Sequence, residues 1–457
     1  MSPPDGKRVI IIIGGGATGA LLACHLLRDP ARAANVTIIE KQPVTALGVA
    51  YSTVNPHHVL NVRVSNMSAF PDQPEHFWRW VIANKKDEVE GCESSFCFVP
   101  RTIYGAYLAG ILAEHGARGR DRLRIVHGEA ANLRLLPSGV EVRLGDGTSL
   151  SADTCIVATG NEAPAAKYPR SVSPWVDPAA AGVPRDGAVL IVGSGLTMVD
   201  YVLSLLRVRH AGPILALSRH GLLPQVHRDV APTRIDAADV PFGSDVAAVM
   251  RWLRGLVERD LAQGRDWRCA FDGLRPYVQE IWRRWPDAAK RRFLRHARAW
   301  WDVRRHRMAP EVDRLVRSAM ASGQLNVVAG KIITTETDGS AVTASYRRRG
   351  TATVETFRAA NVVECVGISV NPRDSVNPIL RSLLEQGLAR PDPIGIGIDI
   401  AEDCSIIGRD GKSSPRLLAA GPLTRGRLWE IVSIPDIRVQ CPQIAERILR
   451  RSFSAAE

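Results

Sequence analysis

The chain begins with short apolar runs that are separated by turn residues. Arg8–Ile13 is a continuous apolar run, as expected of a buried parallel strand, and Val36–Glu40 is a second predicted strand. Between them, Ala20–Leu27 predicts an apolar helix that ends at Asp29-Pro30, so the segments form a strand–helix–strand unit. The further strands predicted in this part of the chain are Arg122–Val126, Ala131–Leu136, Val140–Leu144 and Ser149–Val157, the last continuing a hairpin meander.

The same order of elements returns in the middle of the chain. A strand is predicted at Val189–Val192, a helix at Thr197–Leu206 and a strand at Ile214–Leu217. From about residue 245 to 320, Arg, Trp and Ala recur at helical spacing, which predicts a helical insertion. The elements predicted after it are strands at Leu325–Glu336, Ala341–Arg347, Thr353–Phe357 and Val362–Val366 and a last helix from about Asp436.

A glycine-rich turn joins the first predicted strand to the first helix. Gly14 would allow the sharp turn, Gly16 would let the backbone approach a pyrophosphate, and Gly19 would let helix and strand pack closely. The N–H groups at the start of the helix, around Thr18, attract phosphate. Glu40 ends the next strand, where it can accept hydrogen bonds from a ribose 2′-hydroxyl. We therefore predict a dinucleotide site, with a turn kept for packing alone as the alternative.

A second glycine-rich turn follows the strand at Val189–Val192. Its third glycine is replaced by Met198, which implies a slightly wider spacing between helix and strand. The next strand ends in Ser218 and Arg219 rather than in an acid, and these side chains suit the 2′-phosphate that distinguishes NADPH from NADH. The alternative for Arg219 is an ordinary surface position. The residues predicted to bind NADPH are Gly193, Gly195, Thr197, Ser218 and Arg219.

Two dinucleotide sites in one chain indicate hydride transfer from a nicotinamide to a flavin. The first site carries the acid suited to an unphosphorylated ribose, so we predict that it binds FAD. Ala158-Thr159-Gly160 and Cys365-Val366-Gly367 end related strands and are interpreted as crossings between the two domains, with Gly160 among the FAD-binding residues. The predicted fold class is α/β, with two Rossmann-like dinucleotide-binding domains and a helical insertion. The predicted domains are 1–170 (FAD-binding, first part), 185–365 (NADPH-binding, with the insertion) and 366–457 (FAD-binding, second part).

The charge and cysteine content of the chain limit the kinds of partner and cofactor that we expect it to bind. The formal net charge is +12, with Arg concentrated near residues 251–317, which favours an anionic partner such as cofactor phosphates, an acidic substrate or nucleic acid. A solvated Arg-rich surface is the alternative. The eight Cys include no CxxC pair and are expected to be reduced, and no metal site is predicted. Glycines inside the apolar stretch Val9–Leu27 argue against a membrane span or signal, so we expect a cytoplasmic protein without a membrane partner.

Motifs along nearly the whole chain resemble those of bacterial FAD/NAD(P)-binding oxidoreductases that include FAD-dependent urate hydroxylase-like proteins. More distantly, the chain resembles flavin N-hydroxylating monooxygenases. The combination is specific for the family rather than for a substrate. The segments that carry the resemblance are Gly48–Tyr51, His58–Val62, Phe98–Arg101, Gly193–Asp200, Ser218–Gly221, Trp301–Val303, Arg305–Arg307, Gly387–Gly397, Gly421–Arg427 and Trp429-Glu430.

The resemblance implies which segments lie against the flavin. The loop Gly421-Pro422-Leu423, before the last helix, would contact it, and backbone N–H groups in such a loop suit an electron-rich flavin edge. The stretch that contains Asn61, Asn66 and Met67 would lie near the isoalloxazine ring. For Asn61 and Asn66, capping of a turn is the alternative.

Three functions are compatible with these features. The preferred one is an NADPH-dependent flavin monooxygenase that hydroxylates a small molecule with O2, because the chain has two nucleotide sites and no redox CxxC. The second is an NADPH dehydrogenase or electron-transfer flavoprotein reductase. The third is a flavoprotein that binds nucleic acid or protein through its Arg/Trp-rich segment. Nucleic acid is disfavoured because Trp at helical spacing is more often core and Arg beside it solvated.

No catalytic triad or pair of carboxylates stands out, which fits chemistry carried by the flavin. His57 and His58 lie near the expected flavin region, where one of them could serve as a proton donor or hydrogen-bond the flavin, with a structural histidine as the alternative. The catalytic residues are not identified, and the candidates are His58, Asn61, Arg305 and His306. Arg305 and His306 belong to a basic cluster that has three open interpretations. It could bind an anionic substrate, bind NADPH phosphates, or serve as a structural or surface cluster.

Overall fold

The computed structural model describes residues 7–29, 34–89, 91–118, 122–368 and 371–450. Helices and strands alternate over residues 8–40 and 189–218, and elsewhere several helices or several strands mostly follow one another. The described residues form sixteen β-strands: β1 (Arg8–Ile13), β2 (Ala34–Glu40), β3 (Leu123–His127), β4 (Ala130–Leu136), β5 (Gly139–Leu144), β6 (Ser149–Ala152), β7 (Thr154–Val157), β8 (Ser171–Val172), β9 (Val189–Val192), β10 (Ile214–Ser218), β11 (Leu325–Thr337), β12 (Val342–Arg348), β13 (Val354–Ala359), β14 (Asn361–Glu364), β15 (Ser405–Ile407) and β16 (Ser413–Ala419).

The same described residues form thirteen α-helices, most of them between strands. In chain order they are α1 (Ala17–Leu27), α2 (Gly48–Tyr51), α3 (His76–Asn84), α4 (Arg101–Arg118), α5 (Leu196–Arg207), α6 (Val246–Ala262), α7 (Arg268–Leu274), α8 (Val278–Arg284), α9 (Asp287–His296), α10 (Arg298–Arg305), α11 (Pro310–Ala321), α12 (Pro378–Glu385) and α13 (Ile434–Arg450). None of the helices in the described part of the chain is both long and apolar enough to cross a membrane.

The chain divides into two compact units. The first unit comprises the described residues of Met1–Ser52, Arg63–Glu162 and Ser369–Glu457, and the second those of Thr53–Val62 and Ala163–Ile368. The sequence-based division has the same order of parts. It differs in assigning Thr53–Val62 and residues 163–170 to the first stretch and residues 366–368 to the last, and in leaving residues 171–184 outside any domain.

The first unit is built on a six-stranded sheet of described residues in the order β15-β16-β7-β1-β2-β3. All neighbouring pairs in it are parallel except β15 with β16, and Ile13 lies beside both Ile39 and Val157. Helix α1 packs against α4 and α13. Its residues from Thr18 to Leu27 are all buried, which explains why α1 has apolar residues on every side instead of an amphipathic pattern.

A second, three-stranded sheet of described residues, β4-β5-β6, is antiparallel. The sequence predicts one strand over Ser149–Val157, and this is wrong, because the segment forms two strands in two different sheets. Asp153 separates them: its Oδ2 accepts a hydrogen bond from the Val9 N–H, and its N–H donates to the Val9 carbonyl oxygen. The chain thereby leaves the meander at β6, and β7 pairs with β1 in the parallel sheet.

The second unit is built on a seven-stranded sheet of described residues in the order β13-β12-β11-β10-β9-β14-β8. Strand β11 has two kinds of neighbour. Its first part, Leu325–Ala329, pairs parallel with β10, and its second part, Gly330–Thr337, pairs antiparallel with β12. Buried Leu and Val side chains from β9, β10, β11, β12 and β14 form one core cluster on this sheet.

The predicted helical insertion lies between β10 and β11. Helices α6 to α10 surround an aromatic cluster in which Phe293 contacts Trp282, Trp285 and Trp301, and all four side chains are buried. Trp282, Trp285 and Trp301 are therefore core, as the alternative interpretation held, whereas Trp300 is exposed. Helix α11 packs on α5 and β11 and so serves as the connection back to the sheet.

The cysteines differ in part from expectation. Cys92 and Cys97 form a disulfide, so the prediction that all eight are reduced is wrong for this pair. The loop between them hydrogen-bonds to a neighbouring turn, because Cys97 and Ser95 carbonyl oxygens accept from the Val64 and Ser65 N–H groups at 3.1 and 2.8 Å. The other six cysteines are free and buried.

His25 predicts how the stability of the fold depends on pH. It lies on α1 with 7% of its surface exposed, and burial lowers its pKa from the ordinary value of 6.5 to about 4. Between these values the unfolded chain binds a proton that the folded chain does not. The free energy of unfolding should therefore fall by up to about 3 kcal/mol from this residue as pH drops through that window, with no contribution above it.

Denaturant unfolding at several pH values checks this expectation. His25→Gln should flatten the dependence between pH 6.5 and 4, whatever its effect at neutral pH. The exposed His296 on α9 offers a matched control, His296→Gln, which should keep the wild-type slope. Equal slopes for the wild type and His25→Gln would contradict the assignment.

Candidate nucleotide-binding sites

The first glycine-rich turn lies at the end of β1. Gly14 has a φ of +103°, and a Cβ atom there would lie only 2.4 Å from the Ala158 carbonyl oxygen. A Cβ at Gly19 would lie 2.0 Å from the Gly14 carbonyl oxygen. Both distances are far shorter than van der Waals contact, so neither position accepts a side chain. The sharp turn and the close helix packing expected from the sequence are both present.

The start of α1 is open to an anion. Gly16 is the N-cap residue and, among the described residues, no side chain caps this end of the helix. A Cβ at Gly16 would lie 3.4 Å from Gly48 Cα, so the backbone here already lies close to the next loop. Uncapped N–H groups at a helix N-terminus provide donors and a partial positive charge for phosphate oxygens.

Thr159, close to the first glycine-rich turn, has a buried hydroxyl without a partner in the described part of the chain. It follows β7, and its Cα would lie 3.1 Å from a Cβ at Gly14. Its Oγ1 is buried and has no hydrogen-bond partner among the described residues. A buried hydroxyl without a partner is costly unless a ligand or water satisfies it. Gly160 follows with a φ of +74° and open space on its Cβ side.

Glu40 is placed where the sequence predicts, at the end of β2 beside the turn. Its Oε2 accepts a hydrogen bond from the Gly15 N–H at 2.7 Å, and its Oε1 accepts one from the Gln42 N–H at 2.8 Å. A carboxylate offers about four acceptor positions, so acceptors remain for a ribose hydroxyl. Glu40 therefore also ties the glycine-rich turn to the end of β2, a role that the sequence does not reveal.

The loop Gly421-Pro422-Leu423, which the resemblance places against the flavin, makes several contacts within the first unit. The Gly421 N–H donates to Gln440 Oε1 at 2.8 Å, so this amide is already used within the first unit. Gly421 has a φ of +67°, and a Cβ there would lie 2.6 Å from Thr18 Oγ1, so the loop packs directly on the first turn of α1. Leu423 is buried, and its carbonyl oxygen accepts from the Ile398 N–H at 2.9 Å.

Gln440 is a site residue that sequence reasoning missed. It is 3% exposed on α13, and its Nε2 donates to Thr424 Oγ1 at 3.1 Å. Its amide therefore holds both ends of the short helical turn Gly421–Thr424. The only signal in the sequence was a Gln on the apolar face of a helix, which is not specific.

The stretch from Asn61 to Met67 divides between the two units. Asn61 belongs to the second unit, where its carbonyl oxygen accepts from His227 Nε2 at 3.0 Å. Asn66 belongs to the first unit and ends a short helical turn that begins at Val64. Met67, also in the first unit, is 2% exposed. Within either unit, the structure does not bring the three predicted residues together.

His58 fills a structural position. Its Nε2 lies 2.8 Å from the Asp200 carbonyl oxygen and 2.9 Å from Ser204 Oγ, and its Nδ1 lies 2.7 Å from Thr53 Oγ1. Because a carbonyl only accepts, Nε2 carries the hydrogen and Nδ1 accepts from Thr53. Both ring nitrogens are thus engaged. His58 fastens the segment Thr53–Val62 to α5, which explains why this segment groups with the second unit.

The second glycine-rich turn repeats the construction of the first. Gly193 has a φ of +119°, and a Cβ there would lie 2.2 Å from the Cys365 carbonyl oxygen. Gly195 caps α5 and is exposed, and a Cβ there would meet nothing within 4 Å. Thr197 is half-buried in the first turn of α5, and Met198, at the third glycine position, is fully buried.

Ser218 and Arg219 differ in their readiness to bind a phosphate. Ser194 Oγ donates to the Leu222 carbonyl oxygen at 2.6 Å and therefore accepts from Ser218 Oγ at 2.8 Å. Ser218 Oγ also accepts from the Gly221 N–H at 3.0 Å, so its hydroxyl proton is already committed. Arg219 is exposed, and its side chain has no hydrogen bond or ion pair within the described ranges.

Arg305 and His306 end α10 and are half-buried. The His306 N–H caps this helix by donating to the Asp302 carbonyl oxygen at 2.8 Å. The neighbouring Arg307 is 2% exposed, pairs with Asp272 and lies over the Trp267 ring at 5.2 Å. Arg307 is thus structural, and the choice among the three interpretations of Arg305 and His306 stays open.

Comparison with known proteins agrees with this geometry. Residues 11–162 match the protein-family model described as FAD-NAD(P)-binding, which confirms the expected resemblance for the part of the chain that holds the first turn. No curated protein matches the sequence.

Solved structures resemble the chain over nearly its whole length. L-lysine 6-monooxygenase from Pseudomonas syringae is 15% identical with a TM-score of 0.67, covering 98% of this chain and 100% of that one. Ornithine N-hydroxylase from Kutzneria, with reduced FAD, NADP+ and L-ornithine, is 15% identical with a TM-score of 0.61, covering 97% and 99%. Thioredoxin reductase from Lactococcus lactis is 12% identical with a TM-score of 0.54, covering 97% and 99%. At these identities the likeness shows the fold, and it confirms the predicted α/β class with two dinucleotide-binding domains.

Two glycine substitutions separate folding from nucleotide binding in the second unit. Gly195→Ala adds a methyl group to open space, so the melting temperature should stay near the wild-type value while NADPH binds several-fold more weakly. Gly193→Ala forces a contact with Cys365 at a positive φ and should lower stability by about 1–3 kcal/mol or more.

Thermal unfolding and nucleotide titration measure the two effects. Gly255→Ala is a matched control, because a Cβ there meets only the end of Arg259, at 3.9 Å. It should leave NADPH binding unchanged. Unchanged NADPH affinity in Gly195→Ala would contradict the placement of the nucleotide.

Proposed function

We propose that the protein is an NADPH-dependent flavin monooxygenase, with FAD held by the first unit and NADPH by the second. The observation that carries the proposal is the repeated turn: Gly14 against Ala158 and Gly193 against Cys365. Each turn places an uncapped helix N-terminus at the end of a parallel strand, where pyrophosphates bind in this class of fold. Two such sites suit a hydride donor and a hydride acceptor.

The residues of the first unit fit FAD. The amides at the start of α1 would bind its pyrophosphate, Glu40 would accept from its ribose, and the buried Thr159 hydroxyl would gain the partner that it lacks. The Gly421 loop would support the bound group through its packing on Thr18 rather than through the Gly421 amide. When bound, reduced FAD reacts with O2 and supplies an oxygen atom to a substrate.

The proteins that share the fold make a small amine a reasonable first substrate. Those with the higher TM-scores are named for the hydroxylation of lysine and ornithine. We include amines and small anionic molecules as candidate substrates, the second because of the net charge of +12. A cytoplasmic location is part of the same proposal, because the reaction consumes NADPH.

Flavin absorbance and oxygen incorporation test the proposed function. The purified protein should be yellow or take up added FAD, NADPH should bleach the flavin band, and labelled O2 should appear in the product of an accepted amine. Glu40→Gln should weaken FAD retention by roughly 10-fold, because the ribose contact loses its charge. A protein that neither contains nor binds FAD would overturn the whole proposal.

The disulfide gives the reductase alternative a specific observation in its favour. Cys92 and Cys97 are paired in the first unit, in a loop that hydrogen-bonds to Val64 and Ser65. The next two residues along the chain, Asn66 and Met67, are those predicted to lie near the flavin. In that alternative, the hydride of NADPH supplies two electrons and one proton, and solvent supplies a second proton. Together they convert the Cys92–Cys97 disulfide to two thiols and leave NADP+. The thiols would then reduce a disulfide acceptor.

Cys97→Ser distinguishes the two functions. Under the monooxygenase proposal this variant keeps its rate of amine hydroxylation, because the sulfur atoms take no part in oxygen transfer. Under the reductase alternative it loses NADPH-dependent reduction of a small disulfide such as dithionitrobenzoate. The assay is run in parallel on Cys269→Ala, which removes a free cysteine on α7 in the helical insertion, to show that loss of a cysteine alone has no effect.

A further inference from the structure

The end of β10 lies beside the point where β11 changes partner. Gly221 follows this strand end with a φ of +61°, and a Cβ there would lie 2.9 Å from the Ala329 N. Ala329 is the last residue of β11 that pairs with β10, and Gly330 is the first that pairs with β12. The geometry of the sheet therefore brings the chain that leaves β12 next to the loop 218–221.

Arg349 is the residue that β12 positions next to the loop 218–221. It directly follows β12, and its N–H donates to the Ala329 carbonyl oxygen at 2.8 Å, which fixes its backbone. Its Nη1 donates to His220 Nδ1 at 2.9 Å. Arg349 and Arg219 are 130 positions apart in sequence, yet Arg349 contacts the ring of His220, the residue that directly follows Arg219.

The local charge is positive and not neutralised by these contacts. Arg219 and Arg349 are both exposed, and His220, which accepts at Nδ1, carries its hydrogen on Nε2 as a further donor. Burial lowers the pKa of His220, and the positive charges of Arg349 and Arg219 lower it further. The neighbouring Arg348 differs, because it is paired with Glu355.

We propose that Arg349 and Arg219 together bind the 2′-phosphate of NADPH, with His220 beside them, in place of the pair Ser218 and Arg219. Ser218 is unsuited because its hydroxyl proton is already donated to Ser194. A phosphate dianion accepts charge-assisted hydrogen bonds from two guanidinium groups, which form the planar forks that match its oxygens. This assignment rests on the proposed function, because it presumes that the second unit binds a nicotinamide dinucleotide.

Direct binding of nucleotide fragments tests the proposal without any need for turnover. The probes are 2′,5′-ADP, which has the 2′-phosphate, and 5′-ADP, which lacks it, titrated into the full-length protein by calorimetry. We expect the wild type to prefer 2′,5′-ADP. Arg349→Ala and Arg219→Ala should each weaken 2′,5′-ADP binding by roughly 10-fold or more, as for loss of a charged hydrogen bond, and leave 5′-ADP binding unchanged.

Two further variants separate a direct contact from a general effect of charge. Arg358→Ala removes one positive charge from the same sheet, but Arg358 pairs with Asp338 and lies opposite Thr343, at the far end of the hairpin. It should keep the wild-type preference. Arg349→Lys keeps the charge and should retain more of the preference than Arg349→Ala. Equal loss in Arg349→Ala and Arg358→Ala, or in Arg349→Lys and Arg349→Ala, would overturn the assignment.

Steady-state kinetics tie the result to the reaction. Arg349→Ala should raise the KM for NADPH at least several-fold, with kcat and the KM for NADH unchanged. If the wild type binds both fragments equally and NADH reduces its flavin, the 2′-phosphate assignment is wrong. The proposal that the protein is an oxidoreductase is then unaffected. A wild type whose flavin neither nucleotide reduces would sink the proposed function itself.

Discussion

One close contact governs both candidate sites: a glycine Cα against the carbonyl oxygen that ends a neighbouring strand. In the first unit the contact joins Gly14 to Ala158, and in the second it joins Gly193 to Cys365. A β-carbon would come within 2.4 and 2.2 Å of these oxygens, well inside the distance at which atoms repel. The chain can therefore turn from strand to helix within a few residues only because nothing projects from these positions. The orientation of each helix, and of the amides at its start, follows from that turn.

Side chains around the turns are used mainly to hold the backbone. Glu40 and Gln440 each bind backbone N–H groups, and His58 and Ser194 are satisfied by neighbours within the second unit. This agrees with a reaction whose reactive group belongs to a cofactor, because the protein must then supply position, shape and a supply of donors. It also explains why the sequence contains no recognisable catalytic triad or pair of carboxylates.

The sequence predicted the parallel strands and both glycine turns closely, because continuous apolar runs and glycine spacing are local signals. It failed where a distant residue decides the outcome. Asp153 ends β6 by bonding to Val9, and His58 assigns its segment to the second unit by bonding to α5. No local signal marks Arg349 in the sequence, because only the exchange of partners along β11 brings it to the end of β10. The predicted cofactor contacts stay predictions. The Ser218 hydroxyl and the Gly421 N–H, however, already donate hydrogen bonds to Ser194 and Gln440.

The path of the chain around the helical insertion has a consequence for how such proteins diverge. Helices α6 to α10 enclose their own aromatic core, and α11 then carries the chain to β11, the direct neighbour of the strand that it left. This insertion has its own interior, and it leaves and rejoins the sheet at adjacent strands. It can therefore become longer or shorter, or be exchanged, without a change in strand order. The scaffold can thus acquire a different insertion while the two glycine-rich turns stay unchanged.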